Sequence, residues 1–253
     1  MSKGQQLKHA NISFYDSRFG RENITRDVPE SDFVKCKFRV ELDPSSSVVE
    51  IGCGTANIIL SLDVNEKVGL DISLVNLMLA KQRSSELMLV QADAEHIPFR
   101  PGIFDAIIII DLLHHVPSPH SLIKETAGIL KVGGKLFVYD ASIDGVMPII
   151  PLAMLIQKIS ERIGSRIEHF GPSLNEVTRW LTETGFKIVN ISGEGSFIRY
   201  VNAVLTSFSK RINFSLPLRL PISAIDHKVA RLLEKFPIKF KVVAVRTHKS
   251  YEN

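Results

Sequence analysis

Five short apolar runs constrain what this chain can fold into more than any other feature. They are SVVEI (47–51), EKVGLD (66–71), LMLVQA (87–92), FDAIIII (104–110) and KLFVYD (135–140). They are rich in β-branched residues and continuous rather than alternating, as strands buried on both faces of a parallel sheet are. Parallel neighbours need a crossover connection, usually a helix. Helical patterns lie between the runs. Ser73 stands at the N-cap position of SLVNLMLAKQR. Ser118 and Pro119 open another helix, cap then first-turn proline, and Gly133-Gly134 is expected to end it. This alternation predicts an α/β fold built on a doubly wound sheet.

After Asp140 the rhythm changes. GVMPIIPLAMLI (145–156) is almost wholly apolar, and Leu152, Leu155, Ile156, Ile159 and Ile163 follow helical spacing. Ser173 and Glu176 form a capping box before LNEVTRWLTETG, and Gly185 is the expected stop. FKIVNIS (186–192) reads as a strand. A second helical insertion spans about 197–236, with Ile222, Ile225, Val229, Leu232, Leu233 and Phe236 on one face and His227, Lys228, Arg231 and Lys235 on another. KFKVVAVRT (239–247) closes the chain as a strand. No internal repeat, low-complexity tract or linker interrupts it.

Composition narrows the function classes. The net charge of +4 permits an anionic ligand or surface without requiring nucleic acid. The two cysteines, Cys36 and Cys53, make neither a disulfide framework nor a metal-ligand pair, and no metal is expected. No apolar run nears the roughly 20 residues that span a bilayer. The polar opening, MSKGQQLKHANISFYDSRFG, does not read as a signal peptide, so a cytoplasmic setting is the expectation.

The first strand runs into a glycine turn, EIGCGTAN (50–57). A dinucleotide fingerprint needs a third glycine or alanine where Asn57 stands, and no Gly-Lys-Ser/Thr follows to make a P-loop. Glu50 would also repel a pyrophosphate held close to it. The acid suits a ligand that carries positive charge at the strand tip. S-adenosylmethionine (SAM) carries an α-ammonium and a sulfonium, and no phosphate.

VVEIGCGTA, VGLDIS, QADAEHIPF, FDAIIIIDLLHHV and LKVGGKLFVYD, in this order, resemble the class I SAM-dependent methyltransferases, above all the small-molecule type 11 group. The resemblance is strong over about residues 45–140 and loose elsewhere. It implies a mostly parallel, seven-stranded, Rossmann-like sheet whose last strand is antiparallel. It implies one domain over 1–253: a helical cap or lid at 1–44, a SAM-binding half at 45–140, and a substrate-side half at 141–253 with insertions 145–172 and 197–236 after the fifth and sixth strands. In that family's pattern Glu50 holds the methionine ammonium, directly or through water. Gly52 and Gly54 let the backbone approach the cofactor, with Cys53 between them as a small turn residue or a reactive thiol. Asp71, with Ile72 beside it, takes the ribose hydroxyls; Asp71 alone could instead cap the next helix. Asp93 and Ala94 meet the adenine, or Asp93 is a plain turn residue. Asp111 and Leu112 line the methionine end, and Tyr15 and Arg18 of the lid touch the cofactor. The departure is Ala56-Asn57, where the family often has a third glycine; Ala56 is small enough to leave the turn intact.

Methyl transfer from a sulfonium is an in-line displacement, so positioning carries much of the catalysis. Hydroxyl and carbon acceptors also need a base. His114 and His115 are the candidates, with Asp140, Tyr139 and His169 behind them; the alternative for the pair is a structural part of the cofactor-side turn. The apolar faces of the insertions suggest a small acceptor, hydrophobic or lipid-linked, met at a membrane surface. Helix packing, or association of a monomer into a homodimer, is the other use for those faces. Nucleic acid is not expected as a partner: DLLHHV (111–116) replaces the Asn/Asp-Pro-Pro-aromatic motif of exocyclic-amine methyltransferases, and no cysteine follows a proline. A SAM-binding subunit without catalysis is the competing class.

Overall fold

The computed structural model describes residues 33–144, 171–194 and 239–247. Tyr15, Arg18 and His169 lie outside these residues, as do nearly all of the insertions at 145–172 and 197–236. Contacts divide the chain into two compact units. One comprises residues 1–140, 175–191 and 241–253; the other comprises 141–174 and 192–240.

The first unit carries the sheet. In chain order its elements are α1 (Phe33–Phe38), β1 (Ser47–Ile51), α2 (Asn57–Leu60), β2 (Glu66–Asp71), α3 (Leu74–Arg83), β3 (Met88–Gln91), β4 (Phe104–Ile110), α4 (Pro119–Ile129), β5 (Leu130–Ala141), α5 (Leu174–Glu183), β6 (Phe186–Glu194) and β7 (Lys239–Arg246). The seven strands lie in the order β3-β2-β1-β4-β5-β7-β6. β1 pairs in parallel with β2 and β4, β2 with β3, and β4 with β5. At the other side, Thr247 N–H donates to Gly185 O at 2.9 Å, so β7 ends where β6 begins. The last strand is therefore antiparallel, as expected.

The apolar runs become the centre of the sheet. Every residue of β1 is buried, and Ile107, Ile108 and Ile109 of β4 have no exposed surface. Truncating such an isoleucine to alanine typically costs about 2–5 kcal/mol. The β1–β4 register is pinned at its start by polar contacts. The Asp105 carboxylate accepts the Ser47 amide at 3.0 Å and hydroxyl at 2.8 Å, and Lys131 reaches the same carboxylate at 2.8 Å.

Two helix starts follow the sequence. The Ser73 hydroxyl accepts the Asn76 N–H, and the Ser118 hydroxyl accepts the Ser121 N–H. One end does not. α4 stops at Ile129, and Leu130 is already extended. Gly133-Gly134 instead lies inside β5, where the partners of Phe104 and Ala106 are Leu130 and Lys135. Three extra residues bulge there, and Gly133 adopts φ 80°. The glycines serve a strand irregularity, a role that looks the same as a helix stop in one dimension. Among the described residues of the second unit, Asp144 Oδ2 accepts the Leu174 N–H at 2.8 Å. No helix among the described residues is long and apolar enough to cross a membrane.

Candidate functional site

The chain reverses its winding at β1, whose neighbours are β2 on one side and β4 on the other. Ligands of open α/β sheets bind outside the carboxyl ends of the strands at such a point. A cleft of about 990 Å³, open mouth included, lies there. Its wall includes Gly52 and Gly54 after β1, Asp71, Ile72 and Asn76 after β2, Asp93 and Ala94 after β3, and Asp111, Leu112 and His115 after β4.

The glycine turn is folded back on β2. Gly52 and Cys53 both donate to Leu70 O, at 2.7 and 3.0 Å, and Gly54 N–H donates to Asp71 Oδ2 at 2.8 Å. Gly52 has φ 75°, and a Cβ on it would sit 2.9 Å from Leu112 Cδ1. The missing side chain thus permits the backbone angle and the contact between the first and fourth strand tips. Cys53 fills the space over Gly69, where an added Cβ would come within 2.8 Å of its sulfur. Burial pushes the Cys53 thiol up, so it stays protonated and unreactive.

Glu50 is buried and lies behind this turn, outside the cleft wall. Its Oε2 accepts the Ile59 N–H at 2.9 Å. That amide is the third of α2, the one an N-cap side chain would ordinarily take. The N-cap here is Ala56, which has no side-chain acceptor. Glu50 is a cap supplied from the strand below. Burial pushes its carboxyl up to about 8, opposed by the Ile59 bond and reinforced by the nearby Asp71 charge. Ala56 itself is left-handed, at φ 64° and ψ 29°, where the family resemblance puts a glycine. Arg83 of α3 braces that departure from outside. Its guanidinium donates to Thr55 O at 3.0 Å and to Asn57 Oδ1. Nothing in the order of residues announces these two supports; both depend on which strand and helix lie under the turn.

Asp71 is buried, and its two oxygens accept from Gly54 and from Ser73, the latter at 2.9 Å. Desolvation raises its carboxyl above the usual range against these donors. Asp93 borders the cleft and accepts the Glu95 N–H at 3.0 Å, so it is also a turn-former. Asp111 stands at φ 49°, a strained position for a residue with a side chain, and faces the cleft.

The two histidines separate. His115 is in the wall, whereas the His114 side chain is only 3% exposed and sits behind it. His114 Nδ1 meets Asp140 Oδ1 at 2.5 Å, and Asp140 Oδ2 accepts the amides of Leu112 and Leu113 at 2.8 and 2.6 Å. Asp140 therefore fixes the turn that carries Leu112 and His115. One ligand atom each from Asp111, His114 and Asp140 fall within 4.8 Å of one another, but the Asp140 oxygens are committed to that turn.

Three carboxylates, Asp71, Asp93 and Asp111, line the cleft, and no lysine or arginine among the described residues does. This wall favours a cation and opposes pyrophosphate. The donor set fits SAM: a positively charged ligand with ribose hydroxyls to donate.

Comparison with known proteins agrees. The family model described as "Methyltransferase domain" matches residues 49–138. A Bos taurus protein described as "Probable tRNA methyltransferase 9B" is 37% identical over 109 residues, 41% of this chain and 23% of its own. This chain thus spans about a quarter of that relative's length. The "Ubiquinone biosynthesis O-methyltransferase" of Xanthomonas euvesicatoria is 26% identical over 168 residues, 61% of this chain and 68% of its own. A SAM-dependent methyltransferase structure from Methanosarcina mazei superposes with TM-score 0.60 at 16% identity, covering 84% of this chain and 97% of that one. Over residues 49–138 the chain matches the methyltransferase domain family, and its fold is that of the SAM-dependent methyltransferase structures.

Proposed function

We propose that the chain transfers the methyl group of SAM to a small hydrophobic or lipid-linked acceptor. The observation that carries the cofactor half is the wall at the switch point of the sheet, lined by three acids and, among the described residues, by no lysine or arginine. SAM supplies, when bound, an electrophilic methyl on a sulfonium. Asp71 and the glycine turn then hold the nucleoside, Asp93 and Ala94 border the adenine, and Asp111 and Leu112 border the methionine end. Glu50 keeps the glycine turn and the start of α2 in place from behind, through the Ile59 amide it accepts. His115 is the residue placed to take a proton from a hydroxyl or carbon acceptor, and His114 with Asp140 keeps its turn in place. Much of the rate comes from alignment along the sulfur–methyl axis.

The acceptor half rests on the apolar segment 145–156 and on the likeness to the ubiquinone O-methyltransferases. The 37% identity to the tRNA-methyltransferase relative favours a second reading, an RNA acceptor. Cytoplasmic action against the inner membrane face belongs to the first reading. Incubation with methyl-labelled SAM and, separately, a lipid extract and a total tRNA fraction tests both. Label in the lipid fraction supports the first; label in tRNA alone overturns it.

A further inference from the structure

We propose that Asn76 is a second ribose-recognising residue, working beside Asp71. Asn76 lies in the first turn of α3, is 3% exposed, and forms part of the cleft wall. Its side chain lies beside the Asp71 carboxylate. Its Oδ1 is buried and has no hydrogen-bond partner among the described residues. Buried side-chain acceptors without a donor are uncommon, and one in a binding cleft calls for a donor that arrives with the ligand.

The acceptor capacity of Asp71 says which donor. Each oxygen of its carboxylate already accepts a backbone amide, Gly54 on one and Ser73 on the other, and the Asn76 side chain lies beside it. Part of its capacity of about four lone-pair sites is therefore already used by the protein. A ribose hydroxyl arriving at Asp71 joins an amide already bound there, whereas the Asn76 oxygen next to it has no donor among the described residues. The vicinal hydroxyls are the donors a SAM nucleoside presents at the tip of β2. Asn76 therefore takes one hydroxyl proton while Asp71 faces the other. An apolar side chain at this position would leave that hydroxyl without the acceptor.

The proposal rests on the SAM reading of the cleft. Calorimetric titration with S-adenosylhomocysteine and its 2′-deoxy and 3′-deoxy analogues separates the two. The wild-type protein should bind the parent compound and lose about tenfold, or 1.4 kcal/mol, on one of the analogues. In Asn76→Leu that loss should shrink to within twofold, while the penalty on the other analogue persists. Asn76→Ser, a smaller change, carries the comparison where the leucine variant does not fold. Wild-type penalties retained on both analogues in the variants would overturn the role of Asn76 alone; equal binding of all three ligands by the wild type would overturn it and remove Asp71 from the ribose as well. A wild-type protein that binds none of the three would sink the cleft reading and this proposal with it.

Discussion

Glu50→Gln should make the ligand-free protein more stable at alkaline pH and change little near pH 5. The buried carboxyl has its pKa pushed up to about 8, against an ordinary 4.5. The folded chain therefore keeps a proton that the unfolded chain has already lost. Such a group contributes fully below the unfolded value, and its contribution falls as pH rises through the folded one. Each pH unit in that window costs about 1.4 kcal/mol. By pH 7.5 the wild type has forgone about 4 kcal/mol, a large part of a typical 5–15 kcal/mol stability. Glutamine mimics the protonated acid, and its oxygen can still accept the Ile59 amide. Asp71, which is also raised, is present in both proteins, so its own desolvation cancels in the difference and only its coupling to Glu50 remains in it. Urea unfolding of both proteins from pH 5 to pH 8 measures it. The variant's advantage should climb from near zero at about 1.4 kcal/mol per unit. A difference that stays constant across this range would show that Glu50 is ionised throughout, and would refute the burial argument.

The other predictions concern the turn and its ligand. Asp71→Ala should lower SAM affinity about ten- to a hundredfold, or about 1.5–3 kcal/mol, by calorimetry on folded protein; unchanged affinity would remove Asp71 from the site. Gly52→Ala should destabilise by more than about 1 kcal/mol and weaken SAM, because the new Cβ meets Leu112 at 2.9 Å and φ is 75°. Ala56→Gly should raise stability by up to about 1 kcal/mol, since φ is 64° there; a lower melting temperature would contradict the strain.

The centre of the fold was legible because its signals are local. Val48, Val49 and Ile107–Ile109 announce buried strands by composition, and Ser73 and Ser118 announce helix starts by position. The order of strands and the acids at their tips then located the cleft, and Asp71, Asp93, Ala94, Asp111 and Leu112 do line it. What the sequence hid is long-range. Glu50 caps α2 from beneath rather than lining the wall, and Arg83 reaches Thr55 across 28 positions. Asn76 looks like a polar helix residue until its oxygen is found buried beside the cleft. Adjacent histidines cannot be told apart in one dimension; only the packing of Asp140 sends His114 inward and leaves His115 at the wall.

The central claim is that this cleft holds a cationic nucleoside rather than a dinucleotide. Isothermal titration of the purified chain with SAM and with NAD, side by side at pH 7.5, tests it most directly. Saturable one-to-one binding of SAM with no heat from NAD is the predicted result. Binding of NAD, or of neither ligand, would contradict it.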